Sequence, residues 1–238
     1  MLENLPIYLP IFFILTTLLT FGLFQWVLSG SHDGTIQKRA GLITISLSIW
    51  LTLQAILALN NIYNSDTLSI PPKIMLFGIL PMLLTIVFLF VSAKGRNFMD
   101  SLPLNRLTHL NIVRIPVEIG LYLLFLNKVV PEIMTFEGRN FDIFAGITAP
   151  IMAWYGLKEG KLRSWGLLIW NFICLALLIN IVFIALFSAL SPFQKFSFEQ
   201  PNIALPNFPF VWLPTFIVPI VLFGHLVSIR QLIQKIRT

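Results

Sequence analysis

The 238-residue chain is 57% hydrophobic and only 11% charged, with a mean hydropathy of +0.86, whereas a soluble domain carries about 25% charged residues. That composition excludes an ordinary soluble domain and leaves no room for a separate aqueous catalytic or binding module. The net charge of +6 does not point to nucleic acid, because the basic residues gather in alternate loops, as membrane orientation predicts. The expected fold is all-α: one polytopic transmembrane domain over residues 1–238, with bilayer lipid as its solvent.

The first apolar run, residues 5–28, is preceded by Glu3 and no lysine or arginine, and it lacks a small-residue cleavage site. It reads as a retained span rather than a signal peptide. A polar break from Ser29 to Arg39 leads to a second span over 40–60. After a turn-rich loop, a third span covers 72–93, with Pro72 tolerated in its first turn and Pro81 expected to kink it. The stretch from Lys94 to Arg106 reads as a hydrophilic basic loop ahead of a fourth span over 107–127.

The segment from Lys128 to Asp142 is the most charged external candidate, and Asn140 or Asp142 at its end is expected to cap the fifth span, 141–156. That span is short and contains Pro150, so a tilted or re-entrant element is the alternative. A tight basic turn holding Lys158, Lys161 and Arg163 precedes a sixth span over 165–190. A loop rich in proline and phenylalanine, suited to the membrane interface, leads to a seventh over 210–229.

With seven spans, Lys38, Arg39, Lys94, Arg96, Arg106, Lys158, Lys161, Arg163, Arg230, Lys235 and Arg237 share one side, against Lys73, Lys128, Arg139 and Lys195 on the other. The positive-inside rule then puts the N-terminus outside and the C-terminus in the cytoplasm of a plasma (inner) membrane. Removing the fifth span would scatter those clusters, so the charge pattern supports it. Leu80–Phe90 also aligns with Leu213–Phe223, both opening on Leu-Pro, which hints at parallel halves.

Within the fourth span, Asn111, Arg114, Glu118 and Tyr122 fall on one helical stripe, while His109 points the other way. At 1.5 Å per residue, Arg114 lies about 12 Å and Glu118 about 18 Å from the cytoplasmic end. Ionisable groups at that depth usually face a bundle interior or wet cavity. The structural alternative is an intrahelical Arg114–Glu118 pair. Pro116 between them frees backbone carbonyls. Asn171 and His225 are expected at comparable depth and complete the candidate set. Asn180 faces away from Asn171, and Gln25 and Gln54 read as interhelical hydrogen-bonding groups.

The single cysteine, Cys174, reads as a small packed residue, and no metal-ligand spacing exists. No hydrolase, zinc-protease or nucleotide-loop motif occurs. Retinal would need a lysine inside the last span, which has none before Lys235. No cofactor is therefore expected. The reading carried forward is a membrane protein that binds and moves a small polar or anionic solute. Two others stand beside it: an intramembrane enzyme for a lipid or isoprenoid, with Glu118 or His225 as acid or base and a second carboxylate nearby, and a sensor or assembly subunit with a purely structural pair. The oligomeric state stays open.

Overall fold

A computed structural model describes residues 2, 5–158 and 164–237. Lys161 and Arg163 of the basic turn, and Glu3 ahead of the first helix, lie outside the described residues. Among the described residues the chain is helical, with one isolated bridge between Ala189 and Asn202. Five helices are long and apolar enough to cross a membrane: α1 (Tyr8–Ser29), α2 (Gly34–Leu59), α5 (Leu104–Leu126), α7 (Ser164–Ser188) and α8 (Leu213–Arg237). A sixth span arises if α3 (Met75–Val91) and α4 (Ala93–Ser101), which meet at 94°, count as one broken element. The remaining apolar helix, α6 (Ile143–Leu157), is shorter than a usual span.

Several boundaries differ from those expected, each for a local reason. α2 begins six residues before Ala40, because Asp33 accepts from Thr35 N at 2.8 Å and caps the helix there. The supposed loop after Val91 is mostly helix α4. Ser92 Oγ accepts from Gly95 N at 3.0 Å to start it, while the Arg96 guanidinium donates back to the Phe90 and Val91 carbonyls that end α3. One helix therefore stops and another starts across a single residue. This is the sharp bend, rather than the one expected at Pro81.

The proline positions instead carry widened turns. A π-helical stretch, Met75–Ile79, precedes Pro81, another, Leu213–Ile217, precedes Pro219, and a third, Met152–Lys158, follows Pro150. Proline cannot donate to the carbonyl four residues back, so Pro81 frees Phe77 O and Pro219 frees Thr215 O. Both orphans are met by α2: Gln54 Nε2 donates to Phe77 O at 3.1 Å and Trp50 Nε1 to Thr215 O at 2.9 Å. The two π-helical stretches touch where Gly78 faces Thr215; a Cβ on Gly78 would stand 2.6 Å from Thr215 Cγ2.

The core is aromatic and aliphatic, with Phe13 edge-on to Phe210 at 4.9 Å between ring centroids. α7 lies along α8, α1 along α5, and α6 against the middle of α5. Outward faces are apolar too: α2 buries only Gln54 and Ala58 and exposes Leu42, Ile45, Ile49, Leu53 and Ile56. A soluble monomer does not expose such stripes, whereas lipid solvates them.

Candidate functional site

The centre of the bundle holds a polar cluster drawn from four helices. Its anchor is α5, where a 3-10 turn over Leu110–Val113 leads into Arg114, and Pro116 two residues on has no N–H to return to Ile112. Asn111, Arg114 and Glu118 from this helix are all 3% exposed or less. α6 reaches them because Gly146 has no side chain: a Cβ there would meet Ile115 Cγ1 at 2.8 Å and Arg114 Cβ at 3.3 Å. Asp142 sits one turn before Gly146 on the same face, so the close approach carries its carboxylate to the guanidinium.

Arg114 Nη1 lies 3.0 Å from Asp142 Oδ1 and donates to Cys174 O of α7 at 3.1 Å. The carboxylate contact is poorly aligned for a hydrogen bond, so the attraction is chiefly coulombic. Arg114 Nη2 and His225 Nε2 of α8 are 3.1 Å apart, and His225 Nδ1 is 3.0 Å from Asn171 Oδ1. Those contacts assign the imidazole. A guanidinium only donates, so Nε2 accepts; Asn171 spends its own N–H on Leu167 O at 2.9 Å, so its Oδ1 accepts and Nδ1 carries the proton. His225 is therefore held neutral, with one tautomer specified. Arg114 Nε and Asn111 Oδ1, both buried, have no hydrogen-bond partner.

Glu118 does not pair with Arg114. Both its oxygens face Asn140 Nδ2, at 2.6 and 2.7 Å, and the same amide nitrogen donates to Met134 O at 3.0 Å. Asn140 Oδ1 accepts from Asp142 N at 3.1 Å, which ties the turn before α6 into the cluster. With one amide hydrogen on Met134 O, a single N–H remains for the whole carboxyl group.

Three expectations need correction. The Arg114–Glu118 intrahelical pair gives way to Arg114–Asp142, because the close approach at Gly146 brings a second carboxylate nearer the guanidinium. Asp142 stands at the N-cap position of α6 without capping it; its carboxylate is turned to Arg114, and Asn140 is turned to Glu118. Tyr122 shares the stripe but lies half-buried outside the cluster, its ring tilted against that of Phe136 with centroids 4.8 Å apart. Asn180 is also outside it, donating to Arg139 O at 2.9 Å, as is His109, which meets the Trp26 ring edge-on at 5.6 Å.

Asn111, Arg114, Glu118, Asn171 and His225 are thus brought together, and Asp142, Asn140 and the Cys174 carbonyl join them. The sequence signal for Asp142 was present but read as a cap: an acidic residue four before a glycine, one turn apart on the same face. Among the described residues no group of three or more His, Cys, Asp or Glu side chains is arranged to hold a metal ion. Two open surface depressions, about 500 Å³ beside His109 and Trp154 and about 490 Å³ beside Glu132 and Arg139, are lined by none of the cluster residues. The chain matches no known protein family, no curated protein and no solved structure.

Proposed function

We propose that this chain is a seven-pass membrane protein, N-terminus outside, that moves a small polar solute through the Arg114 cluster with a proton carried at Glu118. The observation that carries this reading is a charge count. Two carboxylates, Glu118 and Asp142, share a buried interior with one guanidinium, and His225 is neutral. Burying an unbalanced charge in such surroundings costs several kcal/mol, roughly the penalty of a lone buried ion. One proton removes the excess, and Glu118, facing an amide rather than a cation, is the carboxyl that takes it.

Support for seven crossings comes from which ends meet. Ser31 bonds Ser101 at 2.8 Å, Arg106 bonds Ser29 at 3.0 Å and Arg230 bonds Asp100 at 2.8 Å, at the end bearing Lys38, Arg39, Lys94 and Arg96. At the opposite end Gln200 bonds Val130 O at 2.7 Å and Asn64 bonds Asn207 at 3.0 Å. That alternation fits a positive inner face. α6, at 1.5 Å per residue, reaches about 22 Å, and the turn ahead of it extends its path.

The enzyme reading draws support from Asp142 as the missing second carboxylate. The depression beside His109 reaches neither carboxylate. In a purely structural reading Glu118 would serve only to hold Asn140 and the turn before α6, a task that needs no ionisable group.

The test is proton movement in liposomes of purified protein carrying an entrapped pH dye, under an imposed pH gradient. Wild type is expected to carry protons above empty liposomes, and Glu118→Gln to lose that flux while folding normally. Equal flux for Glu118→Gln and wild type, or none for wild type, overturns the reading.

A further inference from the structure

Three buried polar atoms of the Arg114 cluster have no hydrogen-bond partner: Asp142 Oδ1, which faces Arg114 Nη1, and two others, Arg114 Nε and Asn111 Oδ1. Arg114 Nε–H is a donor, Asn111 Oδ1 an acceptor, both in side chains 3% exposed or less, and neither has a partner. They lie three residues apart where the helix is 3-10, so their side chains stack on one face. Asn111 Nδ2 is directed back to Leu107 O and Thr108 O, at 3.5 and 3.2 Å, which leaves only its oxygen for anything beside Arg114. The guanidinium's other terminal nitrogens are engaged by Asp142, Cys174 O and His225.

This pairing discriminates by chemistry. A bare carboxylate accepts from Nε–H but has no hydrogen for Asn111 Oδ1, and it adds a negative charge beside a guanidinium already matched by Asp142. An ammonium group has no lone pair for Nε–H. A hydroxyl group does both at once, accepting from Arg114 and donating to Asn111. We infer that Arg114 Nε and Asn111 Oδ1 form the seat for a hydroxyl group, of water or of a neutral hydroxylated solute, and that the cluster rejects bare anions. This rests on the proposed solute path for its role and narrows the solute class from polar or anionic to neutral and hydroxylated.

The experiment is an experimental structure of the whole chain, at a resolution that shows ordered solvent, paired with native mass spectrometry of the same sample. Expected is density within hydrogen-bonding distance of both atoms, lost in Asn111→Leu, which keeps the volume and removes the acceptor. An isolated peak with no added mass identifies water; extended density with a co-purifying mass that Asn111→Leu releases identifies a solute hydroxyl. Soaking with acetate, which at neutral pH has no hydrogen to donate, is expected to leave the seat unchanged. No density at either atom in the wild type, or a soaked anion seated on Arg114 Nε, overturns the inference, whether or not the leucine variant folds. In the liposome assay Asn111→Leu is expected to lower proton flux roughly tenfold, about the worth of one hydrogen bond. Glu118→Gln removes flux but leaves the density, so failure of the transport reading is distinguishable from failure of the hydroxyl seat.

Discussion

Replacing Asp142 by alanine isolates the buried ion pair. Arg114 keeps its bonds to Cys174 O and His225 but loses its nearest carboxylate, leaving a guanidinium that is 2% exposed without an ion-pair partner among the described residues. Breaking such a pair from one side costs ~3–5 kcal/mol, and the poor alignment of this contact argues for the lower end, about 3 kcal/mol. At about 2–4 °C per kcal/mol for a chain of this size, the melting temperature in detergent should fall roughly 6–12 °C. Arg114→Met alone should also destabilise, since it strips His225 Nε2 and the Cys174 carbonyl of their donor. The double variant Arg114→Met/Asp142→Leu should be more stable than the sum of the two losses, because an apolar pair of similar volume needs no counter-charge. The assay is thermal unfolding followed by circular dichroism on matched detergent samples. A shift under roughly 2 °C for Asp142→Ala, or strict additivity in the cycle, would refute the coupling and with it the close approach argued from Gly146.

Other outcomes follow from the same contacts. His225→Phe removes the acceptor of Arg114 Nη2 and the donor to Asn171, and should cost roughly 2–3 kcal/mol, read as a lower melting temperature; an unchanged one refutes the assigned tautomer network. Gly78→Ala drives a methyl into Thr215 Cγ2 and should cost roughly 1–3 kcal/mol, with Thr215→Ser restoring stability because that methyl is then gone; failure of the rescue means the π-helical stretches do not touch there. Gln54→Leu leaves both Phe77 O and the Tyr63 hydroxyl unpaired and should cost roughly 2 kcal/mol or more by the same melt. Burial pushes the Tyr63 phenol up to about 12. Its folded value lies above the unfolded one, so its contribution is complete below about pH 10 and is lost as pH rises towards 12. Ultraviolet titration with Tyr63→Phe as reference checks this, and titration together with the exposed tyrosines would sink it.

Much of the cluster was legible in the chain, and the reason is periodicity. Asn111, Arg114 and Glu118 share a helical stripe whatever α5 packs against, since their relative directions follow from 100° per residue. The depth of Asn171 and His225 followed from counting residues from the basic ends. What helical spacing cannot supply is the identity of partners from other helices. Asp142 and Asn140 look like ordinary helix-start residues, and their turning inward depends on the approach of α6 to α5 at Gly146. The bend at Ser92 was hidden for a related reason: its two caps are side-chain hydrogen bonds, one accepted by Ser92 and one donated by Arg96, residue types that occur as readily in a loop.

Composition and hydropathy alone determined that this is a helical protein with segments long and apolar enough to cross a membrane, because a backbone in hydrocarbon must satisfy its hydrogen bonds within each segment. They also determined that charge lies deep in α5. Which carboxylate meets Arg114, which is left over, and which proton His225 carries were decided by tertiary packing. Ion pairing and hydrogen bonding act over a few ångströms, and only the folded arrangement of four helices sets those distances.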